Sequence, residues 1–133
     1  MNIKMLLFIA CGGALGALSR FGVSNGVHLL VGKGFPYGTL TVNVLGSFLI
    51  GFLYIIMLER LALDPHWRAM AITGFLGALT TFSTFSLETF QLIEDGAMLK
   101  AISNVAINVT VCLLMCWVGV FLGRRLFDGV GSF

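Results

Sequence analysis

The chain has 133 residues, of which 58% are hydrophobic and only 11% charged. A soluble domain of this size carries roughly 25% charged residues, so most of this surface faces lipid or other apolar helices. The formal net charge of +2 is small and scattered, and no basic cluster exceeds Arg124-Arg125, which argues against nucleic acid as a partner.

Four uncharged or nearly uncharged segments are predicted to be spanning helices: about Met5–Leu30, Leu40–Leu58, Ala69–Leu92 and Ala101–Leu122. Each supplies the run of about 20 mostly apolar residues that a bilayer requires. The short connections between them hold most of the charges and both prolines. Nothing is left over for a soluble domain, so residues 1–133 read as one all-α membrane domain, multi-pass in the plasma or inner membrane.

The start, Asn2-Ile3-Lys4 followed by MLLFIAC, is similar to a signal peptide, and Phe8-Ile9-Ala10-Cys11 approaches a lipoprotein cleavage box. That box lacks its usual leucine and the apolar pattern continues past Cys11, so the stretch is read as part of the first span. Gly12, Gly13 and Gly16, with Ala14 and Ala17 beside them, form a small-residue face that lets helices approach closely. Arg20 follows, the only basic residue well inside a segment. A charge there either pairs or faces water at a functional site, or it snorkels to an interface. It can attract an anion but does not release its proton.

His28 is read as interfacial, and Gly32-Lys33-Gly34 is not a phosphate loop, because Val27 occupies the position of the required upstream glycine. Phe35-Pro36-Tyr37-Gly38 is a turn, with Thr39 placed to cap the second helix. Asn43, about a turn in, is by itself most simply a helix–helix contact, although its amide donors also suit an anion that sheds water. Gly46, Ser47 and Gly51 continue a packing face. Glu59-Arg60 and Asp64-Pro65 mark the next turn, and Trp67 sits where an interfacial aromatic is expected.

The third segment is the unusual one. In GFLGALTTFSTFSLETF, from Gly74 to Phe90, two glycines three apart precede Thr80, Thr81, Ser83, Thr84 and Ser86, with Phe82 and Phe85 between them. Glycine tolerates unusual dihedrals, and hydroxyls can satisfy backbone groups freed from a helix. The composition predicts an interrupted helix, which a membrane tolerates only where protein buries it or a polar cavity receives it. Glu88 is the only carboxylate well inside a segment. In the fourth segment Asn104, Asn108 and Cys112 share one helical face, as a polar lining or as an interhelical hydrogen-bond seam. Cys11, Cys112 and Cys116 lie in apolar stretches without metal-ligand spacing and read as small buried hydrophobes.

No nucleophile–base pair, paired carboxylates or metal-ligand cluster supports catalysis, so the chain does not read as an enzyme. The in-membrane polar groups share donor character: amides, hydroxyls, Arg20 and, more weakly, the positive edges of Phe82 and Phe85. Such rings ordinarily pack in a core or face lipid, but their place among so many hydroxyls, three residues apart on an interrupted helix, favours function. Together these groups suggest a passage for a small anion.

The chain resembles the small fluoride channels called Fluc or CrcB. The resemblance rests on GGALGALSRF at Gly12–Phe21, the PxGTLxVNxxGxFxxG pattern at Pro36–Gly51 and TGFLGALTTFSTFSLE at Thr73–Glu88. It implies an antiparallel, dual-topology homodimer with two fluoride pores, in which movement is passive and lowers cytoplasmic fluoride. It further implies a structural Na⁺ at the dimer centre, held by backbone carbonyls at positions matching Gly77 and Thr80. Pore residues carried over are Asn43, Phe82 and Phe85, with Ser83, Thr84 and Glu88 as a polar cluster near a vestibule. Asn104, Asn108 and Cys112 match the polar track of the fourth helix, where a thiol is a weaker donor than the usual hydroxyl, and Arg20 matches the first-helix arginine.

Two other classes compete. A small proton-coupled exporter of drugs or cations also has four helices, but that chemistry asks for a carboxylate in the first segment, which holds none. A non-transporting assembly subunit would leave the Thr80–Phe85 cluster without a reason. With four spans, Lys4, Arg60, Arg68, Arg124 and Arg125 share one side, against Lys33 and Lys100 on the other. That bias favours a cytoplasmic N-terminus and raises an oppositely inserted homologue as the alternative partner to a second copy.

Overall fold

A computed structural model describes residues 1–128. The chain is all-helical, and four helices are long and apolar enough to cross a membrane: Ile3–Val31, Tyr37–Arg60, Pro65–Glu94 and Met98–Asp128. It is a multi-pass membrane protein. Local signals mark the bounds of the first span and the start of the third. Asn2 caps the first span by accepting from the Lys4 N–H at 3.0 Å, and Gly32 ends it at φ 82°, a conformation that favours glycine. Asp64 caps the third span, accepting from the His66 N–H at 2.8 Å, with Pro65 in the first helical position.

The capping role expected for Thr39 is not what the structure shows. The second helix starts at Tyr37 behind Pro36, whose fixed φ suits a helix entry, and it has no side-chain cap. Thr39 is buried, and its hydroxyl donates to Glu88 Oε1 at 2.9 Å instead. Among apolar neighbours a hydroxyl gains more from that carboxylate than from a helix end open to water. The reading of Cys11 as buried is also corrected: it is exposed on the outer face of the first span, while Cys112 and Cys116 are half-buried.

The packing is organised by glycine. The first span lies against the Ala69–Leu76 stretch, and the second lies against the fourth. A methyl group on Gly12 would collide with the carbonyl of Met70, and one on Gly16 with the carbonyl of Phe75. Similarly, Gly51 faces the Cys116 carbonyl and Gly119 the Phe48 carbonyl. Backbones this close have no room for a Cβ, and in lipid such close packing is a main source of helix association.

On either side of the second-to-third turn, Ile55–Arg60 and Ala69–Leu76 are wound as π-helix, which no sequence pattern announces. Near this turn Arg60 pairs with Asp128 at 2.8 Å and Arg124 with Glu59 at 3.4 Å. Phe8 meets Trp67 edge-on at 5.1 Å. These contacts gather the chain start, the second-to-third turn and the end of the fourth span at one membrane face. At the other face Lys100 Nζ donates to the Gly34 carbonyl at 2.9 Å.

In the third span, Gly77–Leu79 is the last helical stretch before Thr80 (φ −82°, ψ 154°) and Thr81 (φ −149°, ψ 115°), both extended. Helix resumes over Phe82–Glu94, with Thr81 capping it by accepting from the Thr84 N–H at 3.2 Å.

Candidate ion passage beside the third span

Two extended residues inside a membrane leave backbone groups that need partners. Asn43 of the second span provides them. Its Oδ1 accepts from the Thr81 N–H at 2.7 Å, and its Nδ2 donates to the Thr81 carbonyl at 3.1 Å. One primary amide thus satisfies both backbone groups of one extended residue. The structural reading of Asn43 holds, and it is more specific than a generic helix contact.

The same amide opens a longer network. Asn43 Nδ2 also points at Asn108 Oδ1, at the long distance of 3.4 Å. Asn108 Nδ2 donates to Asn104 at both its backbone oxygen (3.0 Å) and Oδ1 (2.9 Å), and Asn104 Nδ2 donates to Thr89 Oγ1 at 2.9 Å. Asn104 and Asn108 are both buried. The two alternatives left open for these asparagines therefore resolve partly. They form an interhelical seam, and Asn108 alone reaches a hollow.

That hollow, of about 240 Å³, is lined by Asn43, Phe82, Phe85, Asn108 and Cys112 among others. The two rings lie 5.3 Å apart between centroids, tilted by 55°. Phe85 is 7% exposed and Phe82 77%, so one ring is a wall of the chain and the other projects from it. A second hollow, of about 320 Å³, is lined by Arg20, Thr39, Thr81, Thr84 and Glu88. Thr81 Oγ1 reaches Thr84 Oγ1 at 3.0 Å and Ser83 Oγ at 3.3 Å. Glu88 Oε2 is buried without a protein partner. Of the residues singled out in the sequence, Asn43, Phe82, Phe85, Asn108 and Cys112 line the first hollow, Arg20, Thr84 and Glu88 line the second, and Ser83 and Asn104 line neither.

Residues 7–120 match the family model described as CrcB-like protein, Camphor Resistance (CrcB). The chain belongs to the CrcB-like family. A relative from Methylococcus capsulatus is 56% identical over 129 residues, covering 97% of this chain and 56% of that protein. One from Coxiella burnetii is 50% identical over 127 residues, covering 95% of this chain and all of that protein. One from Citrifermentans bemidjiense is 48% identical over 124 residues, covering 93% of this chain and all of that protein. All three are named fluoride-specific ion channel FluC. The chain spans little more than half of the Methylococcus protein. The three motifs that carried the resemblance lie within the range matched to the CrcB-like model.

For a CrcB-like chain, the backbone around the interruption is as informative as the side chains. The Thr81 N–H, which would donate to the Gly77 carbonyl in a continuous helix, goes to Asn43. The Thr84 N–H, which would donate to the Thr80 carbonyl, goes to Thr81 Oγ1. The carbonyls of Gly77 and Thr80 therefore both lose their i+4 donors. A side chain added at Gly77 would meet only the Ile72 carbonyl oxygen, 3.8 Å away, so this side of the helix is open.

Several residues that shape the site were not singled out for it. Thr39 holds Glu88, Thr89 ends the asparagine seam, and Ser24, Asn25 and His28 line the charged hollow. The spacing of Arg20, Ser24 and His28, four residues apart on one helix, was the available signal for the last group.

Proposed function

We propose that this chain conducts fluoride passively across the membrane and so lowers the cytoplasmic fluoride concentration. The carrying observation is the phenyl-walled hollow edged by the amides of Asn43 and Asn108, in a chain whose relatives over nearly its whole length are named fluoride-specific ion channels. Fluoride is small and strongly hydrated, so it enters only where donors replace its water. The weakly engaged hydrogen of Asn43, the hydroxyls of Ser83 and Thr84 and the edges of Phe82 and Phe85 offer such replacement. Chloride is larger and fits closely set donors poorly. Arg20 supplies the attracting charge in the neighbouring hollow, where Thr84 and Glu88 lie; Asn104 holds Asn108 in place, and Cys112 is a weak donor at the far wall.

Two further features support an antiparallel homodimer as the conducting unit. Phe82 projects from the protomer, and Ser83 and Ser86 are exposed on a membrane-spanning helix. A second copy covering this face would close the phenyl hollow and remove those hydroxyls from lipid. The Gly77 and Thr80 carbonyls fit a sodium ion, since both lack their helical donors and hard cations take oxygen ligands. Bound there, Na⁺ would neutralise inward-facing carbonyl dipoles contributed by both copies.

The test is fluoride release from liposomes containing the purified protein, followed with a fluoride electrode after adding a potassium ionophore. Rapid fluoride release with chloride retained is expected. Retention of both ions by a well-folded dimer would overturn the proposal.

A further inference from the structure

Two hollows open towards the membrane face that carries the first-to-second turn, and His28 and Glu88 line both of them. The inner hollow reaches down to Arg20. The outer one, about 270 Å³, runs out past Lys33, Gln91 and Asp95. Arg20, Ser24 and His28 recur every four residues along the first span, and Thr84, Glu88, Gln91 and Asp95 follow the facing side of Phe82–Glu94 and its exit. The imidazole therefore stands where an ion would pass from the outer hollow to the inner one.

The ring is held in place there. A Cβ on Gly38 would come within 2.9 Å of His28 Nε2, 3.1 Å of its Cε1 and 3.0 Å of the Ser24 carbonyl oxygen. The absent side chain of Gly38 thus makes the seat that the imidazole occupies against the first turn of the second span. The interfacial role expected for His28 understates this position.

The fixed charges facing the ring from every packed element are Arg20 on its own helix, Lys33 in the following turn, and Glu88 and Asp95 across the hollows. The second span contributes only the neutral Thr39 here, and the Tyr37 ring lies against Phe35. Two positive and two negative groups cancel formally. Imidazole is the side chain whose charge ordinarily changes between pH 5 and 8. One proton on it takes the antechamber from formally neutral to positive, and a charged cleft with low-dielectric walls concentrates counter-ions.

We propose that His28, seated between the two hollows, is a proton-controlled admission residue that raises the entry of the anion when its ring is charged. The inference rests on the fluoride-passage reading. It makes His28 a positioning residue for the ion's approach, outside the donor set at Asn43, Phe82 and Phe85.

The test is fluoride current across planar bilayers containing the full-length protein, at about pH 8 and about pH 5.5 on both sides. Current excludes the electroneutral leak of hydrogen fluoride. The readout is the ratio of the two currents within each protein, so differences in expression or in overall conductance do not enter. Wild type is expected to carry roughly tenfold more current at the lower pH in low salt, shrinking as salt is raised. His28→Gln removes the titrating charge and His28→Lys makes it permanent, so both ratios should fall to near one. A flat wild-type ratio, or the same ratio in His28→Gln as in wild type, overturns the inference and leaves the channel reading standing. Absence of fluoride current from wild type at both pH values overturns the channel reading, and this inference with it.

Discussion

The third span is two structures in sequence, and its halves are held by different physics. Before Thr80, the Ala69–Leu76 stretch lies against the first span through Gly12, Gly16 and Gly74, backbone on backbone, with no side-chain hydrogen bond crossing that seam. From Thr81 on, the chain is tied to its surroundings by Asn43 at Thr81, Thr39 at Glu88 and Asn104 at Thr89, and it leaves Phe82 and Ser83 uncovered. The first half is fixed by shape and tolerates no added atom where Gly12, Gly16 and Gly74 bring the backbones together. The second is fixed by donors and acceptors, and it presents groups that can serve an ion. Substitutions at those glycines should therefore abolish folding, while those at the exposed groups of the second half should alter conduction in a folded protein.

The largest effect is expected at Gly12. Gly12→Val drives a branched side chain into the Met70 carbonyl and should cost roughly 3 kcal/mol, seen as loss of monodisperse protein in detergent. Gly13→Ala sharpens the contrast, because its Cβ would meet only the Gly74 carbonyl oxygen at 3.9 Å. That variant should purify normally.

Asn43→Ala tests the link between the halves. It leaves both backbone groups of Thr81 without their partner, at roughly 2 kcal/mol or more, so both thermal stability and fluoride flux should fall. A variant with wild-type melting and flux would break the claim that this amide holds the extended step.

Phe82→Ala is the purest test of the second half. With Phe82 77% exposed on the chain, the fold should hold, while flux should drop about tenfold for loss of a contact near 1.4 kcal/mol. Phe85→Ala should lower flux and stability together, since that ring is buried. Thr39→Val is milder: it removes one donor from Glu88, at about 1 kcal/mol, and should shift the melting temperature by a few degrees.

The smallest effect lies at the start of the first half. Backbone and side-chain hydrogen bonds from His66, and the nearby positive charge of Lys4, hold the Asp64 carboxyl below its ordinary value of 3.8. A lowered folded value means that its contribution is present above the unfolded value and is lost as pH falls through the folded one. Acid melting of wild type and Asp64→Asn should therefore differ slightly at neutral pH and converge below about pH 4. A difference that persists at low pH would show that His66 does not need the carboxylate.

Hydropathy made the four spans legible, because bilayer thickness fixes helix length. The hydroxyl-rich stretch after Gly77 was legible as chemistry because nothing in a continuous helix calls for it. The partner of each polar group was not. Thr39 sits near a turn and looks like a cap until Glu88, 49 residues away, is brought to 2.9 Å. Asn43 offers the same donors to an anion as to a backbone carbonyl, and only the proximity of Thr81, 38 residues on, shows which it serves. The π-helical winding around the second-to-third turn leaves no mark on residue periodicity. His28 and Gly38 are unremarkable apart, and their relation exists only once two helices meet.

The central claim is that fluoride passes beside the hydrogen-bonded half of the third span. The most direct measurement is fluoride and chloride efflux from liposomes carrying wild-type or Phe82→Ala protein from matched purifications. The expected result is rapid, fluoride-selective release by wild type, with strongly slowed release by a variant that melts and elutes normally. Equal fluoride release by the two proteins would place the path elsewhere and contradict the claim.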